Sequence, residues 1–99
     1  SPNGMIEYTP DFEHPLKHSL LCCFYSANTV AVMTLADQPL PRDVSLLRSP
    51  NGKLAFAGPL DINHDPKMGS LYVSDFGKQS LFVENGSMIW LKPASSQQP

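Results

Sequence analysis

The chain has 99 residues, 41% of them apolar and 16% charged, with a net charge of -2 at pH 7. That length holds one domain or part of one. The weak acidic charge draws in neither nucleic acid nor an anionic membrane, and no apolar run is long enough to span a bilayer.

The sequence starts without Met and without a signal peptide, so it reads as a mature product, a processed piece or an excerpt of something longer. Residues 1–8, SPNGMIEY, hold a glycine turn and a short run from Met5 to Tyr8. Thr9 to Lys17 is a polar loop with two prolines. His18 to Tyr25, HSLLCCFY, is apolar almost throughout, and Ser26-Ala27-Asn28 turns the chain. Thr29 to Leu35, TVAVMTL, is a β-branched strand. A proline loop, Asp37 to Asp43, leads to a weaker strand from Val44 to Arg48. Ser49-Pro50-Asn51-Gly52 is a turn, and Lys53 to Phe56 a short run after it.

Gly58 to Gly77, GPLDINHDPKMGSLYVSDFG, reads as strand, tight turn, strand. Leu60 and Ile62 are expected on one face of the first strand. Asp65-Pro66-Lys67-Met68-Gly69 is the turn: proline presets one backbone angle and Gly69 takes the left-handed conformation. Leu71-Tyr72-Val73 opens the next strand. Two more runs follow, Ser80 to Val83 and Met88 to Leu91, separated by the hairpin signal Asn85-Gly86. Residues 94–99 close a Pro/Ser/Gln tail that reads as disordered.

The ten prolines stand between apolar runs, a pattern of short strands joined by turns. No long amphipathic helix pattern is present. LLCCFY and VAVMTL do not alternate between apolar and polar residues, so both faces of their sheet are expected to be covered. A two-layer sandwich such as an immunoglobulin-like domain leaves one face in water and should alternate. A propeller blade has a neighbour on each side and need not. The segments LKHSLLCCFYSANTVAVMTL and MGSLYVSDFGKQSLFVENGSMIWLKP also share an outline, and repeats of about 40–50 residues built of short strands belong to propellers and solenoids.

Within this frame, GPLDINHDPKMGSLYVSDFG followed by MIWLKP resembles the closing blades of six-bladed β-propellers of the glucose/sorbosone dehydrogenase type and related NHL-like repeats. The shared elements are a Pro-Leu-Asp strand, an Asp-Pro-x-x-Gly turn, a Leu-Tyr-Val strand ending in aromatic-Gly, and a last strand ending near Lys-Pro. GMIEYTPDFEHPLKHSLLCCFYSANTVAVMTL is similar to the preceding blade. The resemblance implies an all-β fold of two antiparallel four-stranded blades, residues 1–57 and 58–93, completed by other chains or segments. Some members of the family bind pyrroloquinoline quinone and calcium and oxidise sugars through a histidine base. No residue here matches that base or the cofactor contacts, so no catalytic, cofactor or metal residue is carried over. Gln79 to Ser87 is an insertion, and Cys22-Cys23-Phe24 stands where small or acidic residues are commoner.

The resulting expectation is a non-catalytic extracellular propeller module for assembly or ligand binding. Its partners would be further blades, as identical copies or a companion chain. The alternatives are the C-terminal piece of a quinone-dependent sugar dehydrogenase, with quinone and calcium as cofactors, and a trimeric sugar-binding lectin. Candidate ligand contacts from the interstrand loops are Tyr25, Asn28, Asp75 and Lys78, with Asp61 added if its strand lines a central channel; ordinary loop polarity explains the same residues. Asn85-Gly86-Ser87 fits the N-glycosylation triplet, which places the protein in the secretory route if used. Cys22 and Cys23 read as two small buried hydrophobes, a strained vicinal disulfide, or a bridge to another chain. His14, His18 and His64 lack metal-ligand spacing.

Overall fold

A computed structural model describes residues 2–34, 43–49, 54–77 and 86–93. Seven strands follow in order: β1 (Pro2–Glu7), β2 (Leu20–Phe24), β3 (Thr29–Thr34), β4 (Asp43–Leu46), β5 (Pro59–Asp65), β6 (Ser70–Asp75) and β7 (Ser87–Leu91). Among the described residues there is no helix. The strands form two antiparallel sheets, one of four strands in the order β1-β2-β3-β4 and one of three in the order β5-β6-β7. Each sheet is a sequential meander, and among the described residues no strand crosses from one to the other. The all-β expectation holds. The second sheet has three strands where four were expected; the run Ser80 to Val83 lies outside the described residues, as do Lys78, Asn85 and the tail 94–99.

The turns follow from their residues. Gly69 adopts φ 69°, and its amide donates to Asp65 O at 2.7 Å. The Asp65 carboxylate accepts from Lys67 N at 3.0 Å, so Asp65 shapes its own turn. Asn28, at φ 57°, closes the β2–β3 turn with its amide donating to Tyr25 O. Asparagine tolerates this left-handed conformation better than most side chains.

The sheets pack face to face. Tyr8, Leu21, Cys23, Val30 and Val32 from one meet Ile62, Leu71 and Val73 from the other, with Ile6, Leu47, Ile89 and Leu91 around them. β1 and β5 approach most closely, and each carries a bulge there. Bulges bend a strand and locally free it from its ladder. Gly4 sits in the β1 bulge, where an added Cβ would lie 2.8 Å from the Asp61 Cα. The β5 bulge also corrects one expectation. Leu60 does not share a face with Ile62: it is 38% exposed and Ile62 4%. The extra residue between Pro59 and Asp61 shifts the alternation.

The four-stranded sheet is apolar on both faces. Its inner rows are Ile6–Leu21–Val32 and Cys23–Val30; its outer rows are Met5–Cys22–Ala31–Leu46 and Leu20–Met33–Val44. Cys22 and Ala31 are small and buried among larger neighbours, while Met5, Val44 and Leu46 are 55%, 68% and 52% exposed. The three-stranded sheet alternates more cleanly, with Val73 and Leu71 inside and Tyr72 outside.

Candidate functional site

Three of the candidate ligand residues, Tyr25, Asn28 and Asp75, converge on one place: the segment Ala57-Gly58 that leads into β5. The Asp75 carboxylate is buried and accepts from Ala57 N at 2.9 Å, Gly58 N at 2.8 Å and Gly77 N at 2.7 Å. The Asn28 side-chain nitrogen, turned to the two carbonyls beside it, donates to Ala57 O at 2.7 Å and Tyr25 O at 3.1 Å. The Tyr25 ring lies against Gly58, where a Cβ would come within 2.7 Å of it, and meets Phe76 edge-on at 6.1 Å. Residues chosen as ligand contacts therefore meet in space, but the Asp75 carboxylate and the Asn28 amide are spent on the chain's own backbone, and the Tyr25 ring packs against it. A carboxylate already accepting three amide hydrogens has little capacity left for a ligand.

Asp61 is exposed, and its Oδ1 accepts from Ile62 N at 2.9 Å beside the close approach of β1. Cys22 and Cys23 are both buried, as free thiols in this fold. Cys23 points into the core and Cys22 to the outer face, as adjacent strand residues must. Burial, with smaller contributions from Cys22, Asp61 and Asp75, pushes the Cys23 thiol up to about 11, which makes it a poor nucleophile at neutral pH.

The histidines serve different ends. His18, left-handed at φ 72°, pairs its Nδ1 with Glu7 at 3.0 Å on the surface. His14 Nδ1 accepts from Leu16 N at 3.0 Å, which places the ring proton on Nε2. Desolvation lowers the His14 pKa, favouring the neutral ring. His64 Nε2 accepts from Thr9 N at 3.2 Å, and its buried Nδ1 has no partner among the described residues. Tyr8 lies between His14 and His64, with ring centroids 5.6 Å from each. Its hydroxyl donates to Gly69 O at 2.5 Å and ties the end of β1 to the β5–β6 turn. Burial raises the Tyr8 pKa. Among the described residues no group of three or more His, Cys, Asp or Glu side chains is placed to hold a metal.

A cleft of about 310 Å³ opens between the two sheets. The chain after β4 supplies Leu47, Arg48 and Ser49, and the end of β7 supplies Leu91, Lys92 and Pro93. Tyr8, His14 and Leu16 close it from the β1–β2 loop, and Leu54, Gly69 and Leu71 complete the wall. Among the described residues its charged side chains are both cations, Arg48 and Lys92, and Lys92 also lies 5.0 Å over the Trp90 ring. Sequence reasoning did not find this site. Arg48 and Lys92 are 44 positions apart and carry no motif; only the packing of two strand ends brings them to one opening.

Comparison with family models, curated proteins and solved structures returns no match.

Proposed function

We propose that this chain is a pair of successive blades from a larger β-propeller, acting as a non-catalytic module that assembles with further blades. The observation that carries the reading is the outer face of the β1–β4 sheet. Met5, Val44 and Leu46 are exposed there in rows that continue through Leu20, Cys22, Ala31 and Met33. Apolar rows on an outer sheet face are what a stacked neighbour covers. The topology supports the same reading. Each sheet is a meander, and the first strands of the two sheets, β1 and β5, lie closest together. Propeller blades share both features, whereas Greek-key sandwiches pass strands between sheets.

The companions are other blades, as identical copies or a different chain. We place the module outside the cell, on the strength of the Asn85-Gly86-Ser87 triplet; a mass shift on endoglycosidase treatment of the natively produced protein tests this. Light scattering combined with binding of an apolar dye tests the assembly. The expected result is a mass above one chain, or a single chain that binds dye strongly. A sharp single-chain peak with cooperative unfolding and no dye binding would sink the proposal.

A further inference from the structure

The inter-sheet cleft combines features that no assembly role requires. Leu47, Leu54, Leu71 and Leu91 give it an aliphatic lining. Its volume, about 310 Å³, lies at the lower end of the range of small-molecule pockets. The charged groups at its edge, Arg48 and Lys92, are both exposed cations, and among the described residues neither is paired with a carboxylate. His14 adds a neutral donor. Its Nδ1 is occupied by the Leu16 amide, so Nε2 carries the hydrogen. Aliphatic walls recognise an apolar body, and two exposed cations recognise a negative head.

We propose that this cleft binds a small organic anion with an apolar body, of the class of medium-chain aliphatic carboxylates. The chain lies among Leu47, Leu54, Leu71 and Leu91, and the carboxylate sits at the edge between Arg48 and Lys92. Guanidinium groups pair carboxylates through two parallel hydrogen bonds, and an ammonium adds a point charge. All the groups invoked belong to this chain, so the inference does not depend on companion blades.

The test is a titration with octanoate, 1-octanol and octylammonium, followed by methyl NMR and calorimetry. Octanoate is expected to saturate and to shift the methyl signals of Leu47, Leu71 and Leu91. It should bind at least tenfold more tightly than octanol, and octylammonium more weakly still. The double variant R48Q/K92Q alters two exposed side chains, and its unchanged spectrum serves as the folding control. It should bring octanoate down to the affinity of octanol. Three results would each overturn the proposal: no saturable octanoate binding, equal affinity for octanoate and octanol, or shifts confined to Met5, Val44 and Leu46. The last would mean adsorption on the outer sheet face. None of these outcomes depends on the native mass, so this inference and the assembly proposal fail separately.

Discussion

At the scale of single residues, Asp75 ties three separate backbone amides to one carboxylate. It is buried and holds three backbone amides, two from the entry to β5 and one from Gly77. Replacing it with alanine leaves those donors without acceptors, and each hydrogen bond to a charged group is worth about 1.5–3 kcal/mol. D75A is expected to lose about 2–4 kcal/mol in chemical denaturation, and D75N less, because its carbonyl oxygen still accepts. A loss within experimental error would show that the clamp is not needed. His14 sets a pH dependence. Its pKa is lowered in the fold by desolvation, so the unfolded chain, near 6.5, takes up the proton first. Stability is therefore full above about pH 6.5 and falls as pH drops toward the folded value, levelling beneath it. The difference in denaturation midpoint between the parent and H14Q, followed from pH 7 to 5, should narrow as pH falls. Cys23 works in the other direction. With its thiol raised to about 11 by burial, stability is lost as pH rises from the unfolded value near 9 through about 11. At neutral pH, thiol reagents should leave Cys23 unmodified until the protein unfolds.

At the scale of elements, the two bulges and the Tyr8 bond hold the sheets together. Gly4 lets β1 pass the Asp61 backbone, and a methyl group there would meet the Asp61 Cα at 2.8 Å. The Asp61 carboxylate can rotate away but its backbone cannot, so G4A is expected to cost about 1–3 kcal/mol by forcing β1 from β5. Tyr8 reaches across 61 residues of sequence to the Gly69 carbonyl. Y8F leaves that carbonyl unpaired in a buried place, a loss of about 1–2 kcal/mol in thermal or urea unfolding. Much at this scale was legible in the sequence. The Asp65–Gly69 turn was readable because proline, aspartate and glycine each impose a specific backbone angle or hydrogen bond. The strands LLCCFY and VAVMTL were readable from their β-branched and apolar content. The position of Leu60 was not, because a bulge is set by how two strands meet and leaves no period in the sequence.

At the scale of the whole molecule, the outer face of the β1–β4 sheet governs behaviour in solution. V44K/L46K places two charges on side chains already 68% and 52% exposed. Such surface changes alter stability by about 0.5 kcal/mol or less. The variant is expected to keep its unfolding midpoint while losing dye binding or any mass above one chain. If assembly persists unchanged, its interface lies elsewhere.

The sequence by itself determined the all-β class, the Asp65–Gly69 turn, the turn that ends at Asn28 and the two-sided apolar character of the first sheet. These follow from local backbone chemistry and from the kinds of side chain in each run. It also picked out Tyr25, Asn28 and Asp75, because polar residues at strand ends stand out locally. What those residues do was decided only by tertiary structure. Packing carries Ala57 and Gly58 to their side and turns three candidate ligand contacts into a clamp. The same packing opens a cleft edged by Arg48 and Lys92. Pairing between distant strand ends depends on sheet twist and register across the whole chain, and no local run of residues encodes it.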